Sequence, residues 1–216
     1  MSAPSGLSSL GDGASYRAAL AFAVAPNDDS AAVRAAAAVR RLTNLAAGTA
    51  APDDVLDEIA AAATRLADRL APYAEASRFP QGERLGGSAA IFITHPIIGA
   101  TNPGAPPLVV EPDGDRLEGR VTYGTLHEGP PGCVHGGWMA AAFDAMVVMT
   151  AGINGLGGMT RSLFIRYRRP APIGVELLYS GAVETPGERS TIVKVGLRDG
   201  DELCAECTGD VATRPR

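Results

Sequence analysis

The sequence predicts an α+β fold, in which an antiparallel sheet wraps around one long central helix behind an N-terminal helical extension. Two observations carry this. Residues 136–153 are apolar on every side of a helical projection, so such a helix must be covered on most sides. Strand-like runs flank it: 108–111 and 117–123 before it, and 160–168, 176–184, 190–198 and 203–211 after it. Short turn signals separate these runs (Asp113-Gly114-Asp115, Pro186-Gly187, Asp199-Gly200), as an antiparallel sheet requires.

The elements divide the chain into four parts. Residues 1–29 are expected to be mostly disordered or weakly helical, since 1–13 are rich in Ser and Gly. The apolar run 18–26 lacks a secretory leader's basic start, because 1–15 hold no Lys or Arg and do hold Asp12. Residues 30–77 are expected to form a helical hairpin. Its first helix carries Val33, Val39, Leu42 and Leu45 on one face, and a break follows at Gly48-Thr49-Ala50. Pro52, Asp53 and Asp54 suit the start of a second helix. Its Leu56, Ile59, Ala63, Leu66 and Leu70 alternate spacings of three and four, the narrow seam that faces one neighbouring helix. Packing is the plain role for this hairpin and a substrate lid the sharper one. Residues 78–107, rich in Gly and Pro, read as a linker, and 108–216 as the main domain. A chain starting near Phe79 is therefore expected to fold.

Composition narrows the function. The 216 residues carry a net charge of −5 and no long Lys/Arg run, which argues against nucleic acid as a partner. Three cysteines make no disulfide framework and point to a reducing, cytoplasmic location. Cys204 and Cys207 lie three apart on a strand, hence on opposite faces, so no metal or redox pair is expected. Residues 136–153 match a membrane in length, but Asp144 in their middle is costly in lipid, so membrane insertion is not expected.

Chemistry concentrates in 129–144. Asp144 sits among Phe143, Met146, Val147 and Val148, where a buried carboxylate must be paired or protonated. It is either a structural Asp satisfied by a hydroxyl or backbone group, or a general base or nucleophile. His135-Gly136-Gly137 precedes the helix. Its first N–H groups lack internal partners and stand at the positive end of the dipole, a ready site for an oxyanion. Trp138 either lines a ligand pocket or packs in a subunit interface. Arg166, Arg168 and Arg169 are either a solvated strand end or ligands for phosphates. His95 and His127 have no partner pattern.

The blocks VHGGWMAAAFD (134–144) and GMTRSLFIRYRRPAP (158–172) resemble the hotdog-fold acyl-CoA thioesterases, in their phenylacetyl-CoA (PaaI-like) branch. The resemblance covers about residues 100–213 and leaves 1–80 unexplained. It implies a hotdog fold and a dimer or dimer of dimers. It also implies hydrolysis of an acyl thioester of coenzyme A, or of the same arm on a carrier protein. Asp144 would be the catalytic carboxylate, Gly136 an oxyanion donor and His135 a supporting group, with Thr160, seven residues before Tyr167, positioning water. Some members carry Asn six residues before the His, where this chain has Gly129, so His135 and Thr160 take more of the task. No cofactor is expected, since coenzyme A belongs to the substrate. The rivals are a hotdog-fold hydratase or dehydratase and a non-catalytic acyl-CoA sensor. Against the first, a paired Asp and His on one segment would place His where Met149 stands. A further expectation is geometric. In one continuous helix, His135 and Asp144 lie on opposite faces and roughly 13.5 Å apart along the axis, so an active site using both must be shared between subunits.

Overall fold

The computed structural model describes residues 12–23, 29–74, 92–106 and 108–213. Three helices come first: α1 (Gly13–Ala23), α2 (Ala31–Ala47) and α3 (Asp53–Leu70). Then follow β1 (Val109–Asp113), β2 (Arg116–Thr122), the long helix α4 (Gly136–Ile153), β3 (Gly158–Tyr167), β4 (Glu176–Thr185), β5 (Ser190–Asp199) and β6 (Glu202–Thr213). The strands form one antiparallel sheet in the order β1-β2-β4-β5-β6-β3, which leaves β1 and β3 as its edges. This is the hotdog arrangement, a sheet curled around α4.

Alternation along the strands builds the core. Leu117, Val121, Leu177, Tyr179, Val193, Val195 and Leu197 face Phe143, Met146 and Val147 of α4, all of them buried. Each such side chain contributes about 1.5–3 kcal/mol. The helix sits close to the sheet because glycines face it. A Cβ on Gly181 would meet Thr150 Oγ1 at 2.3 Å, and one on Gly209 would meet Val147 at 2.4 Å. The Thr150 hydroxyl, buried at this contact, donates to the Met146 carbonyl at 2.7 Å. α4 is long and apolar enough to cross a membrane, yet most of it is buried inside the protein, as befits a core helix.

Three expectations for the N-terminal half need revision. First, the region 1–29 contains a docked helix. α1 starts on an Asp12 cap, its carboxylate accepting from the Ser15 N–H at 2.7 Å, and it buries Tyr16, Ala19 and Leu20. Arg17 Nε donates to the Ile153 carbonyl at 2.9 Å, satisfying a group that the last turn of α4 leaves open. Residues 1–11 lie outside the described residues.

Second, α2 docks by its polar side. Ala36 is its one buried residue, while Val39, Leu42 and Leu45 face solvent. Arg40 donates to the carbonyls of Ala105 (2.8 Å) and Asn102 (2.9 Å), and Asn44 Oδ1 accepts from the Leu126 N–H (3.3 Å). These directed bonds, rather than the apolar stripe, fix which face turns inward. α3 buries no residue at all, so α2 and α3 do not make a packed hairpin.

Third, the stretch read as a linker is partly core: Phe92, Ile97, Ile98 and Ala105 are buried, with Phe92 edge-on to Tyr16 at 5.1 Å. Residues 75–91 lie outside the described residues. A chain starting near Phe79 would strip Tyr16 and Leu20 from α4 and expose this core. Leu20→Ala should accordingly cost about 2–5 kcal/mol of stability. Urea unfolding checks this, and a midpoint equal to wild type would show that α1 is dispensable.

Candidate active site

α4 begins at a built cap. The His135 side chain accepts from the Gly137 N–H through Nδ1 at 3.0 Å, which leaves the proton of a neutral imidazole on Nε2. The Trp138 N–H goes to the His135 carbonyl at 3.0 Å. The N–H of Gly136, first residue of the helix, has no partner inside it. Of the two glycines expected to donate to an oxyanion, then, Gly137 is already engaged by His135 and Gly136 is available. The loop before the cap explains Gly129. A Cβ there would meet His135 Cα at 2.8 Å, so a larger residue would push the histidine away.

His127, which spacing alone did not single out, is a buried support of this loop. Its carbonyl accepts from the His135 N–H at 2.8 Å, and its Nδ1 accepts from the Gly124 N–H at 3.2 Å. Its ring stands edge-on to Trp138 (4.9 Å) and Tyr123 (5.2 Å), and burial holds its pKa below the usual histidine value. Its Nε2 is buried and makes no hydrogen bond among the described residues. Because Asn44 and Thr125 also bond, α2 braces the turn that carries His127. Trp138 is half-buried against His127.

Asp144 is exposed, contrary to the expectation of burial. The reason is the shape of the sheet, which leaves one stripe of α4 uncovered. Gly137 and Asp144 are exposed on that stripe, with Ala140, Ala141 and Val148 half-buried beside them. Thr160 Oγ1 donates to Asp144 Oδ1 at 2.6 Å, so the structure brings these two expected site residues together. At its far end β3 reaches the start of the helix, where the Tyr167 hydroxyl donates to the Gly136 carbonyl at 2.9 Å. β3 thus contacts both candidate positions on α4, Asp144 from its beginning and Gly136 from its end. Since α4 is unbroken from Gly136 to Ile153, His135 and Asp144 of one chain stay apart.

The three arginines are not drawn to Asp144. Tyr167 turns toward α4, so Arg166 and Arg168, one position to either side of it, turn to the outer face of the sheet. Arg168 bonds Glu206, with Nε at 3.2 Å, Arg169 pairs with Glu202, and Arg166 lies over the Phe164 ring at 5.6 Å.

Cys204 and Cys207 are free thiols, both buried. An irregularity between Leu197 and Arg198 leaves Cys204 without a partner on β5, and this interrupts the strand's alternation. Among the described residues no group of His, Cys, Asp and Glu is placed to hold a metal.

Residues 131–206 match the thioesterase superfamily. A thioesterase superfamily protein of known crystal structure aligns with 86% of this chain and 92% of its own, at 30% identity and a TM-score of 0.76. The chain belongs to the thioesterase superfamily. Residues 100–216 make up 117 of the 216, about 54%, so the 86% alignment takes in much of the N-terminal helical region too. The acyl-coenzyme A thioesterase THEM4 of Xenopus laevis is 32% identical over 79 residues, which are 37% of this chain and 36% of that protein. The chain therefore spans about a third of the length of that relative. Zebrafish thioesterase superfamily member 2, with 19% identity and a TM-score of 0.50 over 57% of this chain and 94% of its own, shares the fold.

Cys207 yields a pH prediction. Burial, with the charge of Asp144 adding to it, pushes its thiol up to about 11 from the usual 9.0, which keeps it protonated and unsuited to nucleophilic attack. The folded state holds this proton more tightly than the unfolded chain. Its contribution to stability is full below the ordinary thiol value and is lost as pH rises through about 11. The denaturation midpoint should fall between those limits, and Cys207→Ala should flatten that slope. An unchanged slope in the variant would contradict the assignment.

Proposed function

We propose that this protein hydrolyses an acyl-CoA, or the same thioester on a carrier protein, to the free acid and thiol. The observation that carries the reading is the 2.6 Å bond from Thr160 to Asp144 Oδ1. It fixes the carboxylate on the uncovered stripe of α4 and leaves Oδ2 for a water. In the proposed reaction Oδ2 takes a proton from that water, and its oxygen adds to the thioester carbon. The carbonyl electrons move onto oxygen, which accepts a hydrogen bond from the Gly136 N–H at a helix start. His135 Nε2–H is a second donor within the same loop. The tetrahedral adduct then collapses, the C–S bond breaks, and the thiolate recovers the proton held by Asp144. Water and these side chains balance the step, so no cofactor enters the proposal, and coenzyme A is part of the substrate.

The carboxylate and the helix start come from different subunits in this proposal. β3 is an edge strand, with Met159 and Phe164 exposed at 72% and 64%. If two β3 edges pair antiparallel about a two-fold axis, Thr160 of one chain lies near Tyr167 of the other. Asp144 then stands beside the partner's helix start. Small residues on the uncovered stripe of α4, Gly137, Ala140 and Ala141, let a second helix approach. Arg166, Arg168 and Arg169 do not enter as phosphate ligands of their own subunit's site, because acids or the outer face already engage them. The free cysteines are in keeping with a cytoplasmic location. The hydratase alternative lacks its histidine, since Met149 is buried core.

Asp144→Asn should keep the fold and lower kcat by at least about a hundredfold, as expected for loss of a general base. Release of free thiol from a panel of short, long and aromatic acyl-CoAs is the measurement. A folded variant with wild-type kcat on every substrate cleaved by the wild type would remove Asp144 from the mechanism.

A further inference from the structure

α3 has 18 residues, begins after Pro52, and buries none of its side chains. Its apolar residues are nonetheless ordered: Leu56, Ile59, Ala63, Leu66 and Leu70 recur at three-four-three-four spacing along one stripe. Leu66 and Leu70 are 56% and 67% exposed, and Tyr73 just beyond them 82%. A helix of about 27 Å is marginal alone in water and normally gains its stability from a covered apolar face. α2 does not cover this one, as it turns its own Val39, Leu42 and Leu45 to solvent and keeps Arg40 and Asn44 inward.

We propose that α3 pairs with α3 of a second copy of this chain, antiparallel, through this seam. Three features select that occupant. The spacing is that of a two-helix seam, narrower than the face a helix lays on a sheet. The seam is self-complementary: with Ala63 set against the second copy's Leu66, Ile59 falls against Leu70 and Leu56 against Tyr73, and the same contacts recur across the two-fold axis. Small meets large at the centre, which lets the helices close up.

Charge then sets the direction. The first two turns hold Asp53, Asp54, Asp57 and Glu58, while the last two hold Arg65 and Arg69 with Asp68. Parallel pairing would set four carboxylates against four. Antiparallel pairing brings the arginine-bearing end of one helix toward the acidic end of the other and opposes the helix dipoles favourably. This pairing does not depend on the catalytic reading. If its two-fold axis differs from that of the active-site dimer, the assembly closes as a dimer of dimers.

Cysteine cross-linking tests the proposal in a Cys133→Ser background, which leaves only the buried native thiols. Ile59→Cys and Leu70→Cys chains, differently tagged and co-expressed, should give a disulfide-linked pair carrying both tags under mild oxidation. Neither chain expressed alone should cross-link. Adding Leu66→Glu to both should abolish the link. Because no residue of α3 is buried, these changes leave the core untouched, and circular dichroism confirms folding of each variant. Cross-linking of either single variant alone would mean parallel pairing. Folded, co-purified chains that do not link would mean that something other than a second α3 covers the seam. Either outcome overturns the proposal.

Discussion

α4 is one continuous helix, and its fixed rise governs what the rest of the molecule can do. At about 1.5 Å per residue, the N–H groups at its start and the Asp144 carboxylate in its middle cannot meet within one chain. The sheet that buries α4 makes this rigid. Its inward glycines let the helix lie close, and its curl covers every face but one. The uncovered stripe bears Asp144 and the small residues Gly137, Ala140 and Ala141.

β3 carries that constraint into chemistry. As an edge strand it is open to pairing, and it grips α4 at two points, through Thr160 on Asp144 and through Tyr167 on the Gly136 carbonyl. Pairing two such strands about a two-fold axis would transfer each grip to its counterpart's active site. The N-terminal helices serve the same end from outside. α1 closes the end of α4 through Arg17, while α2 braces the turn under His127, on which the His135 N–H rests. The candidate site's placement thus depends on contacts that span 82 positions from Asn44 to Leu126 and 136 from Arg17 to Ile153.

The fold was largely legible in the sequence because its signals are local. Gly136-Gly137 and Asn154-Gly155 mark both ends of α4, and alternation with Gly turns marks the strands. Thr160 beside Asp144 was legible only through the family resemblance. What the sequence hid was orientation. A helix apolar on all sides gives no hint which stripe the sheet leaves bare, so Asp144 read as buried when it is exposed. α2 reads as amphipathic with Val39, Leu42 and Leu45 inward, yet the carbonyls of Asn102 and Ala105 hold Arg40 inward and the Leu126 N–H holds Asn44 there instead. His127 carries no spacing signal, because its role comes through its backbone carbonyl and a ring packed under Trp138. That Gly137 is spent on the His135 cap follows from a side-chain rotamer, which periodicity does not encode.

The central claim is that each active site takes its carboxylate from one subunit and its helix start from the other. Complementation between His135→Ala and Asp144→Asn tests it most directly, each being first shown to be strongly impaired alone. In a co-expressed and purified heterodimer, one site would carry both defects and the other neither. Acyl-CoA hydrolysis should then return to as much as about half of the wild-type rate per dimer, by two-fold counting. Verified heterodimers that stay inactive would place both residues in the same subunit's site and contradict the account.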